Sequence, residues 1–268
     1  MRLKPLLIKL SLAFFLLAIG AQASARILLL LPGYDGNGSW RSRVNLGALV
    51  AGGWRDHGLL TPGRPLIACV PDEDRFYTVV LDSEAPMMVQ LAQLEAEVRP
   101  LFIACPNERL IIAGHSAGGV LGRLFVVRHP EAPVDVLITF ASPHLGTEMA
   151  ELGEIAGDSP FGWMLDMMGE PSLLRSTSLF RDLLPSRPGR FLFWLNHQPH
   201  PPIRYVSVVH LDDNPFPFGF GPAIVPAFSQ DMNRVPALMG RAETILTGAG
   251  HKLVPPDGAL LASLLRKL

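Results

Sequence analysis

Cysteine and charge are both scarce in this sequence. Its 268 residues include two cysteines, and only 18% are Asp, Glu, Lys or Arg. Two thiols are too few for a disulfide scaffold or a cysteine-built metal cluster. The 23 basic and 24 acidic residues leave a formal net charge of −1, so nothing points to nucleic acid as a partner. Internal repeats, low-complexity tracts and a compact metal-ligand spacing such as H-E-x-x-H are also missing. Neither a metal nor an organic cofactor is expected. No apolar run reaches the roughly twenty residues that span a bilayer.

What is present is apolar. Hydrophobic residues make up 49% of the chain, enough for a large core and too many for a disordered protein. The N-terminus has its own pattern. Arg2, Lys4 and Lys9 precede the apolar stretch Leu10 to Ile19, and two small-residue cleavage patterns follow at Ala21-Gln22-Ala23 and Ala23-Ser24-Ala25. This is the layout of a secretory signal peptide, assigned to residues 1–25. An uncleaved anchor is the alternative. Cleavage after Ala25 takes the formal charge from −1 to −4. Export to a periplasm or beyond the cell puts Cys69 and Cys105 where a disulfide persists. They either pair or remain as two buried thiols.

From residue 26 onward, short apolar runs alternate with amphipathic stretches. Strands are expected at Ile27 to Leu31, Leu66 to Val70, Phe76 to Leu81, Leu110 to Ala113, Val134 to Phe140, Arg204 to Val209 and Thr244 to Leu246. Leu66 to Val70 is the weaker of the second and third runs, which leaves about six strands in the core sheet. Helices are expected at Trp40 to Val50, at Val120 to Val127 and at the C-terminus, where Leu261, Leu264, Leu265 and Leu268 form a stripe. A fourth is set by Met87, Leu91, Leu94 and Val98, with Glu95 and Glu97 on its other faces. Alternating strands and helices specify an α/β fold, with a mostly parallel sheet covered on both sides. The 150–202 segment breaks the rhythm and reads as an inserted cap in a single domain.

The chemical signal is Gly114-His115-Ser116-Ala117-Gly118. An apolar strand precedes it and an apolar helix follows it, the context in which G-x-S-x-G presents a serine on a sharp turn. The small residues around Ser116 make room for that turn. A serine hydroxyl at neutral pH needs a base, and the base needs an orienting acid. In this arrangement the chain order is serine, acid, histidine. His251 follows the last strand within Gly248-Ala249-Gly250-His251 and fits the base. Asp213 is the preferred acid, in the Asp212-Asp213-Asn214 turn after Arg204 to His210; Asp212 is its close competitor and Asp231 the reserve. Two backbone amides are needed for an oxyanion. Ala117 supplies one, and Tyr34, in Pro32-Gly33-Tyr34-Asp35-Gly36 after the first strand, is the candidate for the other.

The chain resembles the bacterial lipases and esterases of the α/β-hydrolase superfamily, including an inositol-deacylase-like branch. Leu31-Pro32-Gly33-Tyr34, Gly114 to Gly118 and Ala141-Ser142-Pro143-His144-Leu145-Gly146-Thr147 carry the likeness, in that order. Pro32 stands where such enzymes usually have histidine. Their Asp-x-x-Val-Pro acid segment is not intact, because Ile224-Val225-Pro226 has no aspartate just before it. The resemblance implies cofactor-free hydrolysis of carboxylic esters through an acyl-enzyme. The cap holds Phe161, Trp163, Met164, Phe191, Phe193 and Trp194, adaptable apolar surface suited to hydrophobic acyl chains and to transient contact with a membrane or lipid surface. An acyltransferase or thioesterase with the same machinery, or a non-catalytic binding module on the same fold, are the competing readings.

Overall fold

The computed structural model describes residues 25–34, 40–61, 63, 69–151, 176–213 and 223–268. Seven strands form one sheet: β1 (Arg26–Leu31), β2 (Arg55–Leu60), β3 (Arg75–Val79), β4 (Arg109–His115), β5 (Val134–Phe140), β6 (Arg204–His210) and β7 (Ala242–Thr247). Their order is β2-β3-β1-β4-β5-β6-β7, and every pairing is parallel. The helices are α1 (Arg43–Ala51), α2 (Met87–Ala104), α3 (Ala117–Arg128), α4 (Thr177–Asp182), α5 (Phe191–Asn196), α6 (Ala227–Gln230) and α7 (Pro255–Leu265).

The sheet is buried on both faces, so its central strands read as unbroken apolar runs. β1 shows the consequence. Leu29 and Leu31 join a core with Leu91, Leu94, Val120 and Leu124 of α2 and α3. Leu28 and Leu30 point the other way, into a core with Trp40, Leu49, Leu261 and Leu265 around α1 and α7. The alternation follows from the two-residue period of a strand.

Several expectations change. The sheet has seven strands rather than about six. The additional strand, β2, has the sequence Arg-Asp-His-Gly-Leu-Leu and lies at an edge, where one side is solvated and polar residues are tolerated. Of the strand expected at Leu66 to Val70, residues 66–68 lie outside the described residues, and Cys69 and Val70 belong to no strand. The helix expected from Trp40 begins at Arg43, because the Ser42 side chain accepts the Asn45 amide and caps it. Trp40 is instead fully buried, and its indole N–H donates to the Leu31 carbonyl at 2.8 Å. Glu97 is buried, not on an outer face of α2. Residues 1–24 of the expected signal peptide and residues 152–175 of the expected cap, including Phe161, Trp163 and Met164, lie outside the described residues.

Candidate active site

The chain leaves β1 toward one edge of the sheet, where β2 and then β3 lie, and leaves β4 toward the other, through β5, β6 and β7 in turn. Loops leaving the carboxyl ends of such neighbours diverge and open a crevice. The loop after β1 carries Gly33 and Tyr34. The turn after β4 carries Ser116.

That turn holds Ser116 at φ 51° and ψ −124°, a backbone region that side chains other than glycine avoid. The neighbouring glycines explain why the chain can do this. A Cβ at Gly114 would lie 2.5 Å from the Gly118 carbonyl oxygen and the Gly119 nitrogen. At Gly33 a Cβ would come within 2.9 Å of the Ser116 Cβ. The loop after β1 is thus pressed against the serine. Ala117 is the first residue of α3, where amides lack an intrahelical acceptor and the helix dipole favours negative charge. Tyr34 follows Gly33 directly, and its ring packs against Phe180 of α4 with centroids 5.1 Å apart.

Three side chains from separate loops converge. The Ser116 hydroxyl and His251 Nε2 are 3.1 Å apart, and His251 Nδ1 is 2.9 Å from Asp213 Oδ2. The same Asp213 oxygen accepts the Val225 amide at 3.2 Å and the Gln230 side-chain amide at 3.3 Å. Asp213 is acceptor-only when ionised, so His251 Nδ1 carries a proton and Nε2 presents its lone pair to the hydroxyl. Ser116 retains 8% exposure while Asp213 is buried.

The other acids fall elsewhere. Asp212 is exposed. Asp231 accepts from the Asn233 amide at 3.0 Å and the Thr244 hydroxyl at 2.8 Å, capping a short turn. The interrupted Asp-x-x-Val-Pro pattern is restored in space. The Ile224 amide donates to the Asp213 carbonyl at 2.9 Å and the Val225 amide to its carboxylate. The Ser-Pro-His-x-Gly-Thr segment supports that acid loop, with the Thr147 hydroxyl donating to the Ile224 carbonyl. His144 is buried there and its ring is held well below its ordinary pKa by burial and by Arg123.

Gln230 escapes sequence reasoning. Its buried amide donates to the His210 and Val225 carbonyls at 3.0 and 2.8 Å and accepts the His210 amide at 2.7 Å, besides reaching Asp213. No sequence motif marks it; its place depends on α6 folding back over β6. His115 is buried beside the serine, and burial, with the neighbouring His251, pushes it down to about 3.

Cys69 and Cys105 form a disulfide with Cα atoms 5.5 Å apart. With Glu108 they bring two sulfurs and a carboxylate close together. Those groups are already committed, the sulfurs to each other and Glu108 to the buried Arg75 guanidinium at 2.6 Å.

No protein-family model matches the chain, and no curated protein matches its sequence. Solved structures do. The product of the gene lin2722 from Listeria innocua superposes with a TM-score of 0.62 at 13% identity, covering 91% of this chain and 95% of its own. The mature form of the lipase BlEst2 from Bacillus licheniformis gives 0.57 at 15%, covering 91% of each chain. Carboxylesterase CesB from Bacillus subtilis gives 0.51 at 15%, covering 91% of this chain and 83% of its own. The chain has the α/β-hydrolase fold. At these identities the likeness shows the fold and does not single out the inositol-deacylase-like branch.

Proposed function

We propose that this α/β-hydrolase is a serine hydrolase that cleaves carboxylic esters through an acyl-enzyme. The observation that carries the reading is the unbroken chain Ser116 Oγ, His251 Nε2, His251 Nδ1, Asp213 Oδ2, with steps of 3.1 and 2.9 Å. Ser116 attacks the ester carbonyl as His251 takes its proton. Asp213 stays ionised and stabilises the imidazolium. The amides of Ala117 and Tyr34 receive the developing oxyanion. His251 then protonates the leaving alcohol, and water repeats the sequence to release the acid. Each proton taken is returned, so the cycle balances with no cofactor.

A hydrophobic acyl group suits the surroundings. The Tyr34 ring meets that of Phe180 at a tilt of 59°, and Gly33, the residue before Tyr34, is pressed against Ser116. A depression of about 510 Å³ that does not reach Ser116 or His251 has Leu145, Phe193 and Phe228 beside Arg187, Arg234 and Glu148 in its lining. Trp194 is 39% exposed on the same helix as Phe193. These aromatic and basic groups are the surface through which a lipid aggregate or membrane would be touched. Export agrees with the Cys69–Cys105 disulfide and the N-terminal pattern. Among the described residues no helix is long and apolar enough to cross a membrane. A purified mature chain beginning at Arg26 supports export; one retaining Met1 in the cell envelope makes the segment an anchor.

Labelling by a fluorophosphonate probe tests the reaction. The parent should label and turn over p-nitrophenyl butyrate, while Ser116→Ala does neither. An unlabelled, folded parent refutes the serine-hydrolase reading and leaves a binding module. Product analysis with and without an added alcohol separates hydrolysis from acyl transfer. Strong preference for acetyl over octanoyl esters refutes a lipid-like substrate.

A further inference from the structure

Two buried histidines outside the proposed triad grip the backbone of the loop that carries His251. His210 ends β6 and places Nδ1 2.6 Å from the Gly250 carbonyl oxygen. His115, next to Ser116, places Nε2 2.8 Å from the carbonyl oxygen of His251 itself. A carbonyl oxygen only accepts, so each ring carries a proton on that nitrogen. The far nitrogen of His210 lies 3.3 Å from Asp257 Oδ1, with both side chains almost fully buried. Asp257 is in the first turn of α7, and its other oxygen accepts the Val254 amide at 2.8 Å. One carboxylate therefore caps the start of α7 and faces the ring that holds Gly250.

The held loop is weak by composition. Gly248 and Gly250 leave its backbone little intrinsic stiffness, yet His251 must reach both Ser116 and Asp213. A misplacement of about 1 Å at a catalytic group costs roughly a hundredfold in rate.

We infer that His210 and Asp257 form a second carboxylate–imidazole pair, which positions His251 through the Gly250 carbonyl. The inference rests on the reading of Ser116, His251 and Asp213 as a triad. His210 is a positioning residue, since it touches neither substrate nor the reacting atoms. Burial lowers its pKa most, but the contact with Asp257, the Gly250 carbonyl and the nearby Asp213 together hold it above the ordinary 6.5. The charged or titratable groups facing it are Asp257 from α7, Asp213 from the loop after β6 and His115 from the end of β4, which stays neutral. The Phe140 ring and Gln230 complete its surroundings without charge.

Two substitutions separate positioning from packing. His210→Leu removes the donor to the Gly250 carbonyl. His210→Asn keeps an amide that donates to it. Fluorophosphonate labelling, and kcat and KM for p-nitrophenyl butyrate, are measured on both and on the parent. The Leu variant should label roughly ten- to a hundredfold more slowly, with kcat falling more than KM changes, and the Asn variant should recover most of that loss. Parent-like labelling by the Leu variant, or no recovery with Asn, overturns the inference. If the Leu variant does not fold, His210→Ala takes its place, and parent-like labelling by it overturns the inference. A parent that never labels overturns the triad reading instead, so the two failures are distinct.

Discussion

Gly118 lies against the backbone of Leu31 so closely that a Cβ there would stand 2.7 Å from the Leu31 carbonyl oxygen, and closer still to that of Pro32. Backbone atoms on both sides leave nothing to rotate away. Gly118→Ala must push the start of α3 off the end of β1 and so shift Ser116 relative to Gly33. We expect a loss of about 2–4 kcal/mol in stability and of nearly all of the ester hydrolysis proposed above. Chemical denaturation and labelling check both. Gly47→Ala is the control, because a Cβ there meets nothing within 4 Å; it should be neutral or stabilising.

The backbone of Ser116 stores strain at φ 51° and ψ −124°. Such a conformation costs a non-glycine residue about 1–3 kcal/mol, while glycine adopts it freely. Ser116→Ala and Ser116→Gly should both abolish turnover. They should differ in stability, with the glycine variant about 1 kcal/mol above the alanine variant despite its more flexible unfolded chain. Equal melting temperatures would mean that the turn is not strained.

The parts of this molecule that are legible in the sequence are those whose signal is local. Ile27 to Leu31 and Leu110 to Ala113 announce buried strands because both faces are covered. The Gly114 to Gly118 string specifies its turn through short-range steric demands. The choice between Asp212 and Asp213 is not local: Val225 and Gln230, more than ten residues on, select Asp213 by hydrogen bonding to it. β2 stays hidden because an edge strand needs neither apolar continuity nor alternation. Glu97 lies on the buried stripe of α2 itself, three residues after Leu94 and four before Leu101; its position follows the helical period, and its ionisable side chain is what argues against burial.

Gln230 spans the acid loop and the end of β6. Its side chain holds both backbone groups of His210 as well as Val225 and Asp213. Gln230→Leu leaves these buried partners without a replacement, at about 1–3 kcal/mol for an orphaned group. We expect a loss of about 2–4 kcal/mol and, on the triad proposed above, a fall in kcat larger than any change in KM, since Asp213 would there orient the base rather than the substrate. A fully stable variant with parent kcat would remove Gln230 from the support of the acid.

Glu97 is buried on α2 with neither carboxylate oxygen hydrogen-bonded. Burial pushes its pKa from 4.5 up to about 8. The folded protein therefore holds this proton across a range where the unfolded chain has released it. By linkage, stability falls as pH rises from about 4.5 to about 8, and above that the folded state carries a buried, unpaired charge. Glu97→Gln removes the titration while keeping the shape. The variant should match the parent near pH 4.5 and exceed it progressively toward pH 8, by about 1–3 kcal/mol at the upper end. Urea midpoints at several pH values check this directly. A constant difference across that range would show that Glu97 does not change its protonation on unfolding, and would require a cation or water to compensate its charge inside the fold.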